Sequence, residues 1–564
     1  MPDLFPPFLI FVAGALLLPI LPAGRARAIV SLIVPIISAY MIWNLPSGLH
    51  GQASLAGWEL TLLRVDKLSV VFGLIFSLAA FLSLLYAWHV RDLVQQVAAL
   101  LYAGSAIGAV FAGDLISLFI FWEGTAVTSV FLIWARRTQG AFHTGMRYLV
   151  IQIASGVILL GGVVLLYRDT GSISFEAMTL GSLATWLIFL SFGIKCAFPL
   201  LHNWLQDAYP AATVTGTVIL SSFTTKLAVY ALARGFPGTE VLIYIGAVMT
   251  LFPIFYAVIE NDLRRVLAYS LNNQLGFMVV GIGIGTELSL NGTAAHAFAH
   301  ILYKSLLFMS VGAVLFRTGT AKGSELGGLY KTMPLTMVFC VIGAASISAF
   351  PLFSGFVTKS LILSDAAHEG YYIVWAILLF ASAGVFHHSG IKIPYFAFFA
   401  HDSGKRPKEA PTHMLLAMGL TAFLCIAIGV YPDPLYALLP YEVAYVPYTT
   451  THVVTQLQLL FFSALAFTVL MRTGIYPPEL KSVNLDFDWT YRWFLPRLIK
   501  RVRNLYSTLS ALGVFVLNRK IDNLVKALYA SHGPEGRMAS VWPTGAMVLW
   551  IAVILGATMI VNFI

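Results

Sequence analysis

Charged residues are scarce in this sequence. Only 10% of its 564 residues are charged, against roughly 25% in an ordinary soluble domain, and 59% are hydrophobic. Apolar runs of about twenty residues, which is the length needed to cross a bilayer, recur from Phe8 to Ile564. This composition excludes a string of soluble domains. It predicts an all-α polytopic membrane protein with one large membrane domain.

Cysteine is scarce as well, and a signal peptide is missing. Cys196, Cys340 and Cys425 lie in separate apolar segments without CxxC spacing, which argues against iron–sulfur, zinc and disulfide chemistry. We therefore expect no cofactor and no electron transfer in this chain. Arg25 and Arg27 follow the first apolar run instead of preceding it, so this run should be retained as a span with its N-terminus outside.

The formal net charge of +9 indicates how the loops are arranged across the membrane and does not indicate a nucleic-acid partner. Sixteen apolar segments of spanning length occur, and alternating their direction places the basic loops together on one side. The acidic loop residues fall on the other side: Asp114, Glu287, Glu369 and Asp433. The positive-inside rule assigns the basic side to the cytoplasm, which predicts a multi-pass protein of the cell inner (plasma) membrane.

The tetrapeptide Ala-Phe-Pro-Leu interrupts two of the spans, at 197–200 and 349–352. Both copies lie near a lysine, Lys195 and Lys359 respectively, although four matching residues can also arise by chance. If the two breaks are equivalent, the repeat period is five spans, and an odd period inverts one copy relative to the other. Broken helices in inverted repeats are typical of transporters, because interrupted backbone is tolerated where it lines a polar cavity.

The C-terminal part breaks the pattern of spans. Apolar residues recur at intervals of three and four from Leu498 to Val516, with basic residues between them, which predicts an amphipathic helix. Its apolar centre is too short to cross a bilayer, so we expect it to lie on the cytoplasmic surface. Binding to lipid headgroups and packing on this bundle or a neighbouring subunit are equally compatible with the pattern.

Five charged residues lie inside apolar segments, where each costs roughly 2.5–3.5 kcal/mol on insertion scales. They are Glu123, Lys195, Lys226, Lys304 and Lys359. His296 and His300 precede Lys304 at successive i, i+4 steps, which places the three side chains on one helix face. Such residues are retained only with a partner, with water or with a function.

Three interpretations of this set compete. Snorkelling or structural ion pairing explains a single lysine, but the lysines lie deep in their spans and outnumber the one carboxylate, Glu123. His296 and His300 could bind zinc, but HEXXH is absent and Lys304 would repel the metal, so we expect no metal. Burial disfavours the charged form of lysine and a nearby carboxylate favours it, which makes these residues candidate proton carriers.

Several motifs together resemble one known family. They are FWEGTAVTSVFLIW, GIKCAFPLLHNWLQDAYPAA, DLRRVLAYSLNNQLGF, HAFAHILYKSLLFMSVGAVL and FPLFSGFVTKSLI, within residues 60–470. The chain resembles the antiporter-like subunits shared by Mrp-type multisubunit cation/proton antiporters, respiratory complex I and membrane hydrogenases. The resemblance implies about fourteen core helices in two inverted five-helix repeats. It also implies that Glu123 and Lys195 form an input pair, that Lys226, His300 and Lys304 form a central relay, and that Lys359 is terminal.

The pattern of spans and the resemblance together set the expected organisation, and the resemblance sets the expected partners. The expected parts are 1–94 as N-terminal helices, 95–233 and 241–398 as the two repeats, 413–471 as C-terminal core helices, 472–540 as the amphipathic helix and 543–563 as an anchoring span. The expected partners are other membrane subunits, protons, Na⁺ and lipid. Lys226 and the segment from Gly390 to Pro411 look like the D-type subunit of an Mrp antiporter, whereas the C-terminal arm looks like a complex I L-type subunit. The host complex and the coupled cation therefore stay open. A third hypothesis is a paralogue that serves only as a scaffold, and such a protein would be expected to lack the buried charges.

Overall fold

The computed structural model describes residues 5–55, 57–476, 479–480, 484 and 486–563. These residues form α-helices and a single two-stranded antiparallel sheet, in which Gly48–Leu55 (β1) pairs with Trp58–Val65 (β2). The predicted all-α membrane fold is confirmed. The hairpin was not predicted, because glycines at 48, 51 and 57 interrupt its short alternating pattern between two much longer apolar runs.

The N-terminal half is a succession of helices around this hairpin. In chain order they are α1 Phe8–Leu17, α2 Arg25–Trp43, α3 Lys67–Tyr86, α4 Leu93–Phe111, α5 Leu115–Trp134, α6 Gln139–Thr170, α7 Leu183–Lys195, α8 Asn203–Ala211, α9 Val214–Ser222, α10 Thr224–Gly235 and α11 Val241–Ile259. Aspartate side chains cap α3, α4 and α5 by accepting backbone N–H groups, through Asp66, Asp92 and Asp114. These helices therefore begin at aspartates whose side chains accept hydrogen bonds from the otherwise unpaired backbone N–H groups of the first turn.

The remaining helices form the C-terminal half. They are α12 Leu263–Ile284, α13 Glu287–Thr318, α14 Pro334–Ile347, α15 Ser354–His368, α16 Tyr372–Val385, α17 Lys392–Pro394, α18 Thr412–Val430, α19 Asp433–Tyr436, α20 Thr450–Thr473, α21 Leu495–His532 and α22 Thr544–Phe563. Between α16 and the following loop the helix is π-wound at Phe386–Ile391 and Tyr395–Phe399. Helix α13 runs for 32 residues without a break at the centre of the bundle.

Twelve helical segments in the described part of the chain are long and apolar enough to cross a membrane, and α1, α7 and α14 are shorter apolar helices. The chain is therefore a multi-span membrane protein. The numbers of sixteen spans and fourteen core helices stay predictions, as do the six predicted parts of the chain. The chain separates into two compact units, Met1–Asp486 and Phe487–Ile564, and the second consists mainly of α21 and α22.

The two Ala-Phe-Pro-Leu tetrapeptides adopt the same broken backbone. Ala197 and Ala349 have φ angles of 61° and 56°, and Leu200 and Leu352 have φ angles of 70° and 73°. A left-handed conformation costs a residue with a side chain roughly 1–2 kcal/mol, so such residues rarely adopt it. Its occurrence at both matching positions indicates that the two tetrapeptides break their helices in the same way. This shared geometry agrees with the predicted repeat, although the inverted repeat itself stays a prediction.

Loops of the first unit gather on two faces. On the hairpin face, defined by β1 and β2, the Thr61 N–H donates to Asp114 Oδ2 over 2.7 Å and Arg64 pairs with Glu176 over 3.3 Å. On the opposite face, the basic face, Lys331 pairs with Asp402 over 2.8 Å. These contacts join loops that lie on the same face, and the alternation of the sixteen predicted spans stays a prediction. Which face is cytoplasmic stays a prediction.

Ion pairing on the basic face fixes the loop between α17 and α18. Arg406 and Lys331 both bind Asp402, and their hydrogen bonds hold the pKa of Asp402 well below its usual range. Asp402 is therefore ionised throughout the physiological pH range. Because the three side chains are well exposed, this cluster contributes little to stability and serves mainly to order the loop.

The left-handed positions of the breaks generate a stability prediction. Leu352 is 54% exposed, so Leu352→Gly removes little packing while relieving left-handed strain, and we expect stability to rise by about 1 kcal/mol. Leu416, 53% exposed in α18, is the matched control, because Leu416→Gly should cost about 1 kcal/mol through lost helix propensity. Thermal unfolding of the detergent-solubilised protein measures both. A destabilised Leu352→Gly variant would contradict the strain argument.

Candidate functional site: a line of buried lysines and histidines

Glu123 on α5 and Lys195 on α7 lie within electrostatic range of each other. The Lys195 ammonium is fully buried and donates to the main-chain oxygen of Trp122 and to Thr125 Oγ1, the latter over 2.9 Å. It also lies 4.5 Å from the centre of the Trp122 ring, whose Nε1 donates to Ser155 over 3.1 Å. Lys195 is therefore held by α5 through neutral oxygens and an aromatic face, in addition to its electrostatic interaction with Glu123.

The carboxylate of Glu123 has room only because α6 carries a glycine opposite it. Its Oε1 atom is buried and has no hydrogen-bond partner among the described residues. A Cβ atom built on Gly156 would lie 1.4 Å from this oxygen. Gly156 thus creates the space in which the Glu123 side chain sits beside Lys195.

Lys226 lies at a second helix break, at the start of α10. Its ammonium is fully buried and donates to the main-chain oxygen of Ser221 over 2.6 Å, at the end of α9. The hydroxyl of Ser222 then lies 3.3 Å from that of Ser305, the residue after Lys304 on α13. The break therefore brings Lys226 next to the central helix and supplies it with a carbonyl from a helix C-terminus, where partial negative charge accumulates.

Helix α13 presents His296, His300 and Lys304 on one face, and all three are fully buried. The two imidazole rings are roughly parallel with centres 6.3 Å apart. Neither ring nitrogen of His300 nor the Lys304 ammonium has a hydrogen-bond partner in the described chain. Buried polar atoms ordinarily find a partner in protein or in ordered water, so these atoms mark a polar interior rather than an apolar core.

His296 joins three helices. Its Nδ1 lies 3.1 Å from Thr358 Oγ1 on α15, and its Nε2 lies 3.2 Å from Gln274 Oε1 on α12. The Tyr303 hydroxyl donates to the same amide oxygen of Gln274 over 3.0 Å. Because Thr358 directly precedes Lys359, this network leads from the central helix to the next lysine of the set.

Lys359 follows the second Ala-Phe-Pro-Leu break and repeats the arrangement of Lys226. Its ammonium is buried and donates over 3.2 Å to the main-chain oxygen of Ile347, the last residue of α14. It also lies 4.8 Å from the centre of the Phe277 ring. A helix C-terminus and an aromatic face thus take the place of a carboxylate partner.

The structure brings the predicted residues into two neighbouring groups. One contains Glu123 and Lys195, and the other contains Lys226 with the three residues of α13 and Lys359. The hydrogen bonds of Lys195 lead to α5 and not to Lys226, although the neighbouring Cys196 thiol is within electrostatic range of Lys226. Among the described residues, no cluster of three or more His, Cys, Asp or Glu side chains is arranged to hold a metal ion.

Sequence reasoning missed one more buried lysine. Lys392 on α17 is fully buried, pairs with Glu479 over 3.0 Å, and donates to main-chain oxygens at the end of α11, including that of Val258 over 2.6 Å. The signal was present in the sequence, since Lys392 falls within a long apolar segment. Its position near the end of that segment made an interfacial location equally reasonable.

Comparison with known proteins assigns the family. Residues 112–386 match the family model described as NADH:quinone oxidoreductase/Mrp antiporter, TM. The chain is 31% identical over 353 residues to the D subunit of the Na(+)/H(+) antiporter of Alkalihalophilus pseudofirmus, which covers 58% of this chain and 71% of that protein. The chain belongs to this family. The predicted resemblance is therefore confirmed.

Members from different complexes are similar to this chain. It is 27% identical over 416 residues to hydrogenase-4 component B of Escherichia coli, covering 65% of this chain and spanning 62% of that protein's length. It superposes on a chain of the membrane-bound sulfane sulfur reductase, an archaeal respiratory membrane complex, with a TM-score of 0.69, 26% identity and coverage of 77% of this chain and 95% of that chain. A chain of the Mrp complex from Dietzia sp. DQ12-45-1b shares the fold, with a TM-score of 0.66, 22% identity and coverage of 80% of this chain and 95% of that chain.

The contact between α6 and Glu123 generates a second prediction. Gly156→Ala should push the Glu123 carboxylate away from Lys195 and strongly reduce ion transport, because the added methyl group takes the position of Oε1. The helix should still form, since alanine is the better helix former and the displaced group is the end of a flexible side chain. Transport by vesicles carrying the assembled complex measures the effect.

Gly161→Ala, on the same helix, is the matched control, because nothing lies within 4 Å of a Cβ atom at that position. It should leave transport unchanged. Equal transport by the two alanine variants would show that the position of the Glu123 carboxylate is unimportant.

Proposed function

We propose that this chain is the proton-translocating subunit of a multisubunit monovalent cation (Na⁺)/proton antiporter. The observation that carries the proposal is the set of buried lysines and histidines, which share a single carboxylate and are not neutralised by ion pairing. The family membership and the similarity to the D subunit of a Na(+)/H(+) antiporter support it. The whole complex would lie in the cell inner membrane and contain other membrane subunits.

In the proposed mechanism Glu123 and Lys195 act as one switch. A proton that neutralises the Glu123 carboxylate removes the charge that favours the protonated form of Lys195, so the two groups change state together. Lys195 would then release its proton toward Lys226 through water, since no protein hydrogen bond joins them. The Trp122 and Thr125 oxygens hold the ammonium in place while its charge changes.

The second group would pass the proton along α13. Lys226, Lys304 and His300 lie in one polar interior, and the unpartnered atoms of Lys304 and His300 are where bridging waters are expected. His296 would connect this interior to Lys359 through the hydroxyl of Thr358. Lys195, Lys226 and Lys359 each donate to a main-chain carbonyl, and the Lys304 ammonium would depend on water for the same compensation.

A second candidate is a proton-pumping membrane subunit of a complex I-like quinone oxidoreductase or a membrane hydrogenase. The similarity to a chain of an archaeal respiratory complex and to hydrogenase-4 component B favours it. The residues of the path would be the same, and partner subunits would supply the redox energy. The neighbouring genes distinguish the two candidate functions. Genes for small antiporter subunits would favour the antiporter, and genes for dehydrogenase subunits would favour the redox-driven pump.

Replacement of the central lysine tests the proposed function. Lys304→Ala should lower proton flux by about tenfold or more, because it removes a titratable group between Lys226 and the histidines. Lys322→Ala removes a half-exposed lysine paired with Glu325 on the basic face and should have no effect. Proton flux in vesicles carrying the whole complex, measured with and without Na⁺, gives the answer. Full flux in an assembled Lys304→Ala complex would refute the relay.

A further inference from the structure

A cavity of about 410 Å³ opens on the hairpin face, and none of the seven predicted site residues lines it. Its volume suffices for on the order of ten water molecules. Five charged side chains line it: Arg64, Asp66, Lys67, Glu176 and Arg234. The lining also includes Thr293 and Ala294 of α13, three and two residues before His296. The cavity therefore reaches from the hairpin face to the helix that carries the central histidines.

An ion pair crosses this cavity between α3 and α10. Arg234 contacts both carboxylate oxygens of Asp66, over 2.8 and 2.9 Å, and Arg64 approaches the same carboxylate over 3.3 Å. Burial raises the pKa of Asp66, but the hydrogen bond and charge of Arg234 outweigh it and hold this pKa below its usual value. The Asp66 side chain is 36% exposed and that of Arg234 only 5%, so Asp66 lies on the water side of the pair.

Behind the ion pair, α10 carries a polar column toward the relay. Lys226, Tyr230 and Arg234 follow one another at i, i+4 spacing and lie on one helix face. Arg234 Nε donates to the Tyr230 hydroxyl over 2.8 Å, and that hydroxyl donates to the main-chain oxygen of Val110. Helical side chains lean toward the N-terminus, so Arg234 covers the turn of Tyr230 and Tyr230 covers the turn of Lys226.

We propose that this cavity is the aqueous entrance to the buried relay from the hairpin face, and that the Arg234–Asp66 ion pair is its gate. When the pair is closed, Arg234 and Tyr230 separate the water of the cavity from Lys226. When it opens, water reaches Lys226 along α10 and His296 along α13. This inference rests on the proposed proton translocation, and it gives that path an opening that the seven predicted residues do not provide.

Cysteine labelling of the cavity wall tests the entrance. Ala294→Cys places a thiol on the wall, and Ala295→Cys, buried on the same helix outside the cavity lining, is the matched control. In oriented vesicles with the whole complex, a small charged thiol reagent added at the hairpin face should modify Ala294→Cys about tenfold faster than the control. The same reagent added at the basic face should not. Background is low because the native cysteines, Cys196, Cys340 and Cys425, are all buried.

Labelling of Ala294→Cys should also abolish proton flux. Equal labelling of the two variants, labelling from the basic face alone, or full flux after complete labelling would each overturn the entrance. If unlabelled vesicles show proton flux that does not depend on Lys304, the proposed relay fails instead. Labelling rates then still report whether the cavity is open to water.

Neutralisation of Asp66 tests the gate. Asp66→Asn keeps a side chain able to cap α3 but weakens the hold on Arg234, so proton leak without a driving cation or electron donor should rise severalfold. Asp92→Asn is the matched control, because Asp92 also caps a helix and pairs with an arginine, Arg137, on the basic face. It should leave the leak unchanged. An unchanged leak in Asp66→Asn, or an equal rise in both variants, would overturn the gate.

Discussion

The rest of this structure depends on how buried ammonium groups are stabilised without enough carboxylates to pair with them. Lys226, Lys359 and Lys392 each donate to main-chain oxygens at or next to the end of a helix. Such carbonyls are not used within their own helix, and they carry the partial negative charge of the helix C-terminus. For Lys226 and Lys359 they stabilise the charged form without an ion pair, so they leave the protonated and neutral forms closer in free energy than a carboxylate would, whereas Lys392 also pairs with Glu479.

This requirement explains why the helices are broken where they are. In an unbroken span each carbonyl is already bonded to the next turn, so it can accept from a lysine only as a second hydrogen bond, as Trp122 of α5 does for Lys195. The breaks after α9 and α14 supply Ser221 and Ile347 as acceptors. The left-handed residues of the second break, Ala349 and Leu352, are part of the backbone cost of that arrangement.

Much of this was readable from the sequence, and the reasons differ from residue to residue. Lys195, Lys304 and the histidines of α13 were identified because a charge deep in an apolar run has few explanations. The paired tetrapeptides predicted two breaks, and the structure has them with matching φ angles. Gly156 could not be identified, because only the folded packing of α6 against α5 shows which glycine faces Glu123. The Arg234–Asp66 pair was missed for a similar reason, since it joins segments far apart in the chain, whereas the hairpin was missed because glycines interrupt its short alternating pattern.

Helix α13 differs from its neighbours in being continuous over 32 residues, or about 48 Å at 1.5 Å per residue. It carries three of the seven predicted residues, whereas the other lysines of the set lie at or beside interruptions between α7 and α8, between α9 and α10, and between α14 and α15. A continuous helix resists bending, while a broken one can pivot at its interruption without losing further backbone hydrogen bonds. Changes of shape during transport are therefore expected to move the outer lysines relative to α13, which remains the fixed element against which their distances change.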